Sequence, residues 1–486
     1  MIIQYLNQLG GMNTNLSPFV QPANSPMVLN GVDISYKIGA ILKDPGYKNI
    51  GSALQSGKSI GGLFNFRQSS TVQKMLATCD DSSSDDTQLF YSTGGSWTEI
   101  TAAETAWANK ASITVDMESF LGYCFMVGYG ATDGFINSSS LTGTTFSTVT
   151  NVTDMPDAKY IKRYRDRLYI ANCDISGTKY PYRVYFSSVP EAGALTWTPS
   201  SDFIDIDYSE EITGIGTAWD KLLIFTEFST YFYDQTKKKK TWDVGGYHRT
   251  INNHGAYIYF VDNNGAWRSS GGQPENISGP LIDFFRAGNP SEMFAEIVDE
   301  EWWIYFGDSV SVNGVTYSNV AGKFNIPTQT WVIREFADTI TTFAKYTSGA
   351  TSHLWLGDSS SDIHEKGKYT DATLLTSDDG SNILSEFELA PFHVGDLSFE
   401  NNIANITVFA ERAMGVKLKA RVIDRNTRAL TPFLSIGELT QYVNYFEINV
   451  EQGILIQVAG KEFGQLDYWS IYGLELEAEE ISKTLK

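Results

Sequence analysis

The chain has 486 residues, of which 42% are hydrophobic, 13% aromatic and 19% charged, and it contains 42 glycines. These proportions are typical of a folded, strand-rich protein rather than a disordered or helical one. The 57 acidic and 36 basic residues give a formal net charge of -21. That balance disfavours a protein that coats nucleic acid, because phosphate contacts need clustered lysine and arginine.

Cysteine and histidine usage indicates neither a disulfide framework nor a metal site. The 3 cysteines are far apart in the sequence, and we expect them to be small buried apolar residues. The 5 histidines show no HxH or HExxH spacing. We therefore predict no metal, no cofactor and no catalytic residue. The residues considered are Cys79, Cys124, Cys173, His248, His254, His353, His364 and His393.

The sequence gives no signal for a membrane segment. The opening stretch MIIQYLNQLGGMN lacks a basic start and a long apolar run, and no stretch of about eighteen apolar residues occurs elsewhere. We expect no membrane span and assembly in a reducing cytosol. Residues 1–56 are rich in Asn, Pro and Ser with only short strand signals, which predicts an N-terminal arm that packs on other elements.

Residues 57–375 carry a repeated pattern of short apolar runs. The run centres are separated by roughly 47, 46, 54, 35, 46 and 51 residues, the period of four-stranded propeller blades. This spacing predicts a β-propeller of about seven blades, with six or eight as alternatives and repeated sandwich domains as the competing architecture. The runs LATC, FMVGY, RLYIAN, KLLIFTE, AYIYFV, WWIYFG and HLWLGD are centred on Leu76, Tyr123, Tyr169, Leu223, Ile258, Ile304 and Trp355.

Two further landmarks follow these runs in a fixed order, which supports the repeat. The first, from QLFYS to SDIHEK, predicts the next strand of each blade. The second is an aromatic residue that enters a Thr- or Val-rich strand after a turn, as outer blade strands often do. Its members are Trp97, Phe146, Trp197, Trp242 and Trp331.

Four consecutive lysines are unusual in so acidic a chain. Lys237, Lys238, Lys239 and Lys240 lie between the predicted strand STYFYD and Trp242, which places them at the tip of a hairpin. A solvated turn is the simple interpretation. The alternative is a contact with an acidic face of a neighbouring subunit or partner, where opposite charge would set orientation and association rate.

Residues 376–486 lack the blade landmarks and follow a turn-rich break, DDGSN. Segments such as NIANITVFAER, VKLKARVID and GILIQVAGK alternate apolar and polar residues, a pattern that suits a β-sandwich. The sequence therefore predicts an all-β protein with an arm, a propeller and a C-terminal sandwich.

The arm resembles the opening of tail nozzle, or tail tubular protein B-like, proteins of short-tailed bacteriophages, which also stabilise the head-tail junction. Their GGxNT and SP patterns occur here, and GAILKDPGY resembles their GxLxxxPGY pattern with the leucine one position later, at Leu42. Asp44 stands where a basic residue often precedes the proline. The matching residues are Gly10, Gly11, Asn13, Thr14, Ser17, Pro18, Gly39, Leu42, Pro45, Gly46 and Tyr47.

This resemblance implies a non-enzymatic structural protein of the virion, assembled in the host cytoplasm. It implies a ring, with six copies expected, that contacts portal or head-tail adaptor proteins and other tail proteins and extends the channel for DNA ejection. DNA would be cargo, and an acidic wall would keep it from adhering. The alternatives are a propeller that binds host surface glycans as a receptor-binding protein and, third, a glycoside hydrolase.

Overall fold

The protein was analysed as a computed structural model. The described residues are 2–5, 9–17, 20–67, 69, 73–83, 86–101, 113–130, 136–142, 145–147, 152–153, 155–190, 195–371, 375–391, 400–412, 415–423, 430–453, 455–464 and 469–481. They form 41 strands, two short 3-10 helices at His248–Thr250 and Gly279–Leu281, and the α-helix α1 (Ile282–Ala287). The predicted all-β class is therefore confirmed.

The first five strands all lie in the region predicted as the arm. They are short, and each pairs with a distant part of the chain or with another arm strand. They are β1 (Ile2–Tyr5), β2 (Val28–Asn30), β3 (Val32–Asp33), β4 (Ile41–Lys43) and β5 (Tyr47–Asn49).

Four-stranded antiparallel sheets then follow one another along the chain as propeller blades. Blade one is β6 (Ile60–Arg67), β7 (Gln73–Asp80), β8 (Thr87–Ser92) and β9 (Thr98–Glu99). Blade two is β10 (Ile113–Phe120), β11 (Tyr123–Gly130), β12 (Ile136–Thr142) and β13 (Thr145–Ser147). Blade three is β15 (Asp157–Tyr164), β16 (Arg167–Ile175), β17 (Thr178–Phe186) and β19 (Phe203–Asp205), and the short parallel pair β14 (Val152–Thr153) and β18 (Leu195–Thr196) lies outside it.

The remaining blades continue the same order. Blade four is β20 (Ile212–Ala218), β21 (Lys221–Thr226), β22 (Thr230–Tyr233) and β23 (Lys238–Trp242). Blade five is β24 (Asn252–His254), β25 (Tyr257–Asp262), β26 (Gly265–Ser269) and β27 (Glu275–Asn276). Blade six is β28 (Phe294–Val298), β29 (Glu301–Val312), β30 (Val315–Asn325) and β31 (Thr330–Glu335), and blade seven begins with β32 (Ile340–Ser348), β33 (Thr351–Asp358) and β34 (Ile363–Lys366).

The fourth strand of blade seven comes from the arm. Strand β5 pairs antiparallel with β34, so that Tyr47 faces Lys366 and Asn49 faces His364. The innermost strand of blade seven also contacts that of blade one. The arm therefore completes the last sheet while β32 and β6 close the ring, which makes seven blades in all.

The predicted register of the repeat is confirmed. Each of the seven apolar runs lies in the second strand of its own blade, and the following landmark lies in or overlaps the third. Second strands such as β7 and β21 are buried over nearly their whole length. Neighbouring blades cover both of their faces, which explains why their sequences are continuous apolar runs rather than alternating ones. Residues 131–135, part of the blade-two landmark DGFINS, lie outside the described residues.

The prediction that Trp197 marks the outer strand of its blade is wrong. Trp197 lies just after β18 and bridges to Ser187, whereas the outermost strand of that blade is β19. Phe146, Trp242 and Trp331 do lie in the outer strands of blades two, four and six, and Trp97 directly precedes that of blade one. In blade three a turn separates Trp197 from the edge strand β19.

The C-terminal strands form the predicted β-sandwich, but arm strands contribute to both of its sheets. They are β35 (Ile383–Glu388), β36 (Glu400–Glu411), β37 (Lys417–Ile423), β38 (Leu434–Glu438), β39 (Val443–Gly453), β40 (Leu455–Gly464) and β41 (Ser470–Ile481). One sheet has the order β3-β4-β41-β36-β39, with β1 also paired to β41. The other continues blade six through β2 into β35-β40-β37-β38, so a nine-stranded sheet joins propeller and sandwich.

The sandwich core lies between these two sheets. Leu418 and Val458 from one sheet and Val408 and Leu474 from the other belong to a single buried cluster. That cluster continues into blade six and includes Trp331. Propeller and sandwich therefore share one hydrophobic core.

Candidate functional site

The arm residues that carry the family resemblance pack tightly into this junction. Gly11 has a φ of +89°, and a Cβ there would lie 2.9 Å from the backbone nitrogen of Trp331. A Cβ at Gly46 would lie 1.8 Å from the carbonyl oxygen of Ser377. These positions need glycine because backbone approaches backbone without room for a side chain. Pro18 lies outside the described residues.

A buried network of ion pairs fills the space beneath the arm. Asp44 Oδ2 lies 2.9 Å from Lys366 Nζ, and Asp44 Oδ1 lies 3.1 Å from Lys323 Nζ. Lys323 also pairs with Asp33 of β3. These four side chains are at most 5% exposed. The arm supplies both carboxylates, and blades six and seven supply the two lysines.

Two further buried pairs extend the network toward the C-terminal part of the chain. Arg334 of blade six donates to Asp378 at 2.6 Å, and Lys43 of the arm pairs with Glu462 of β40 at 3.0 Å. All four of these side chains are at most 2% exposed. The charges thus connect the arm, the propeller and the sandwich at one place.

The network holds Asp44 in its ionised form. Burial alone would raise the pKa of Asp44, but the positive charges of Lys323, Lys366 and Arg334 outweigh this and lower it. Burial lowers the pKa of Lys366 despite its pairing with Asp44. Charges buried in this way need their partners, because an isolated ion in a low-dielectric interior is strongly disfavoured.

A cavity of about 220 Å³ lies beside the network. Its wall combines apolar groups of Trp303 and Leu354 with the charged groups of Glu301 and Lys323, and Tyr36 and Tyr369 stack at 4.4 Å nearby. Lys323 and Lys366 also lie 5.3 and 5.6 Å from the Trp303 ring, within reach of cation-π attraction. Its charged groups serve structural pairing, and we assign no chemistry to this cavity.

The centre of the propeller holds a second cavity, of about 330 Å³, lined by the innermost strands of the blades. Asp116 of blade two accepts hydrogen bonds from the backbone N–H of Ile161 and from His248 Nε2, both at 2.7 Å. His248 Nδ1 accepts the N–H of Ile215, which makes Nε2 the donor to Asp116. This hydrogen-bonded group links blades two, three and four across the centre.

Charged side chains also cross between blades near this cavity. Glu118 pairs with Lys162 at 2.9 Å, linking blades two and three. Arg249 donates to the carbonyl oxygen of Thr341 in blade seven at 2.6 Å. Polar side chains therefore connect neighbouring blades around the central cavity.

Glu296 lines this cavity, and its pKa shows how the surroundings act on a carboxyl group there. Burial raises the pKa of Glu296 to about 7 from an ordinary value of 4.5. The folded state therefore favours the neutral acid, and stability present below pH 4.5 is lost as the pH rises through about 7.

We expect Glu296→Gln to be more stable than the wild type by about 1–3 kcal/mol above pH 7, because the amide carries no buried charge. The advantage should disappear near pH 4. Thermal denaturation midpoints across this pH range measure it. An equal offset at every pH would contradict the assigned shift.

A cluster beside β5 has the composition of a cation site. Asp338, Asp358 and His364 place ligand atoms within 4.8 Å of one another. His364 Nε2 lies 3.1 Å from Asp358, and the Tyr47 hydroxyl donates to Asp338 at 2.6 Å. Burial would lower the pKa of His364, but the hydrogen bond and charge of Asp358 outweigh this and raise it. These pairings suit the closure of blade seven, and we assign no metal to them.

The four lysines do not form a hairpin tip as predicted. Only Lys237 lies in the turn, and the other three begin β23, the outermost strand of blade four. Lys238 donates to the carbonyl oxygen of Asp205, and Lys240 pairs with Asp243 at 3.1 Å. All four are exposed. They line an open sheet edge because residues 234–237 form the hairpin turn. There the Asp234 carboxylate accepts hydrogen bonds from the Thr236 hydroxyl and from the N–H groups of Thr236 and Lys237.

Sequence reasoning located the arm motif but missed the buried network. Lys323, Lys366 and Asp378 lie in segments that read as ordinary strands or turns, and the network exists only because the arm folds over them. The one available signal was Asp44, an acidic residue beside the PGY sequence. His393 lies outside the described residues. Among the described residues, no helix is long and apolar enough to span a bilayer.

No protein-family model matches the chain, and a search of curated proteins finds no match. Three solved propeller-type structures are similar over 66–67% of this chain. The extracellular domain of a one-component system from B. thetaiotaomicron has 10% identity and a TM-score of 0.43, and this chain covers 40% of its length. YCF48 from Cyanidioschyzon merolae has 9% identity, a TM-score of 0.41 and 98% coverage. The Neurospora crassa Pan2 WD40 domain has 6% identity, a TM-score of 0.37 and 97% coverage.

Proposed function

We propose that the protein is a non-enzymatic structural subunit of a short-tailed bacteriophage virion that forms a ring or nozzle at the tail. The observation that carries this proposal is the use of the arm motif. Tyr47 of the motif begins β5, which completes blade seven, and Leu42 lies in β4, which joins one sandwich sheet, while the arm strand β2 joins the other. The arm that carries the motif thus holds propeller and sandwich together as one subunit, which is a property that a tail component under mechanical stress requires.

The propeller centre bears on where DNA would pass. The Asp116–His248 and Glu118–Lys162 pairs bridge neighbouring blades beside the central cavity of about 330 Å³. In this proposal the lumen for DNA lies on the axis of a ring of copies rather than within one propeller. The net charge of -21 would then disfavour adhesion of DNA to the wall. Partners in this proposal are further copies of the chain, portal or adaptor proteins, and other tail proteins.

Imaging tests the proposal directly. We expect purified protein, alone or mixed with portal and adaptor proteins of the same phage, to form closed rings with a central opening in negative stain. A ring of one polypeptide uses two different faces on each subunit. Particles that stay monomeric both alone and with the portal and adaptor proteins would contradict the nozzle function.

A second function, binding of host glycans, is supported by a surface on blade three. Tyr208 is 69% exposed and packs edge-on against Tyr182 at 4.5 Å. Arg183 pairs with Asp205 beside them. Exposed aromatic rings next to charged hydrogen-bonding groups are suited to sugar rings. A glycan array with the wild type and Tyr208→Ala separates this function from the first, because a nozzle subunit should bind no glycan.

A further inference from the structure

One face of the sandwich combines exposed aromatic groups with carboxylates. Across the outer face of the six-stranded sheet, Glu447 of β39 lies opposite Asn405 of β36, which lies opposite Glu477 of β41. In the next row Tyr445 lies opposite Thr407. Tyr445 is 57% exposed, and Glu447 and Glu477 are exposed.

This surface, called here the acidic edge, ends in an open strand. Strand β39 is the last strand of its sheet, so its outer backbone groups have no neighbouring strand among the described residues. Tyr442 and Val443 at its start are 68% and 49% exposed. Large apolar groups on an open sheet edge indicate an interaction surface, because isolated edges of this kind promote pairing with another chain.

The same molecule also carries a basic surface. It lies on blade four, whereas the acidic edge lies on the sandwich. Strand β23 is also the last strand of its sheet and carries Lys238, Lys239 and Lys240. Among the described residues, neither Lys237 nor Lys239 forms an ion pair. Blade four is separated from blade six, which carries the sandwich, by blade five.

We propose that the acidic edge of one copy docks against the lysine strand β23 of a second copy, and that this contact builds the ring. The two surfaces are both open strand edges and carry opposite charge, which favours their association and fixes its orientation. They are different surfaces on one subunit, as a closed ring requires. This inference rests on the proposed ring and names its interface.

Charge exchange tests the contact. We expect Glu447→Lys with Glu477→Lys to weaken self-association by about tenfold or more, and replacement of Lys237 to Lys240 by Glu to do the same. Combining both sets should restore association to within about threefold of the wild type, because the opposite charges are exchanged across the same contact. Sedimentation velocity over a concentration series measures each variant, and circular dichroism with urea denaturation confirms that each remains folded.

A matched control separates this contact from a general effect of charge. Glu292→Lys with Glu300→Lys makes the same change in net charge as the two glutamate substitutions of the acidic edge, on exposed residues of the propeller, and should leave association unchanged. Rings that persist in both one-sided variants would overturn this interface while leaving the nozzle function standing. Loss of rings without rescue in the combined variant would also overturn it, since the lysines would then protect the edge or contact another protein. A wild type that forms no oligomer, alone or with portal and adaptor proteins, would overturn both proposals.

Discussion

Asp44→Ala is expected to destabilise the protein by about 3–5 kcal/mol, because it removes the carboxylate that faces two fully buried lysines. Lys323 would retain Asp33 and Glu301, whereas Lys366 would lose its only carboxylate partner among the ion pairs of the described residues. Burial already lowers the pKa of Lys366, so loss of Asp44 should lower it further. Urea denaturation followed by tryptophan fluorescence measures the change.

The pH dependence of this effect has a defined sign. The pKa of Asp44 in the folded protein is below its ordinary value of 3.8, so its contribution is complete above that pH. The stabilisation that ionised Asp44 provides should therefore stay complete at neutral pH and fall only when the pH drops below 3.8. In Asp44→Ala the lowered pKa of unpaired Lys366 should narrow the difference between the two proteins only as the pH rises, when that lysine loses its proton. A difference that vanished between pH 5 and 7 would show that Asp44 is not held as an ion.

Asp299 provides a matched control, since it also pairs with a lysine but lies at the surface. Its side chain is 53% exposed and contacts Lys368. Asp299→Ala should cost less than about 1 kcal/mol, because water screens the exposed pair. If Asp44→Ala were as mild as Asp299→Ala, the buried network would not join the arm to the propeller.

Gly46→Ala is the second change with a large expected effect. The added methyl would lie 1.8 Å from the carbonyl oxygen of Ser377, a backbone atom that cannot rotate away. The same residue donates its N–H to Leu375 at 2.8 Å and accepts the N–H of Gly367 at 2.8 Å. We expect a loss of about 3 kcal/mol, because the chain must shift and strand β5 begins at the next residue.

Hydrogen exchange would show where the Gly46 variant opens. Loss of β5 should expose the edge of β34, so the amides of Glu365 and Gly367, which point toward the arm, should exchange faster than in the wild type. Gly272→Ala is the control, because a Cβ there meets nothing within 4 Å. It should change stability by less than about 0.5 kcal/mol. Equal exchange of blade seven in both variants would mean that the arm does not stabilise the sheet of blade seven.

The repeated part of the fold could be predicted from the sequence. Strands buried on both faces must be continuous apolar runs, and runs such as KLLIFTE therefore marked the second strand of every blade. Strands with one solvated face alternate, and this pattern located sandwich strands such as β37, in which Leu418, Ala420 and Val422 are buried. Both signals arise from local burial, which composition and periodicity report directly. The exception is Trp197, because an irregular connection in blade three separates it from the outer strand.

How the parts are joined could be seen only once the chain was folded. Strand β5 pairs with β34 about 315 residues later, and β2 pairs with β31 and β35. Such short strands have little periodicity, since their hydrogen-bond partners rather than their side chains define them. The buried charges are equally hidden in the sequence, because Asp44, Lys323 and Lys366 are ordinary polar residues until the arm brings them together and excludes water. Likewise, the position of Lys238 on an open edge strand depends on the turn that precedes it.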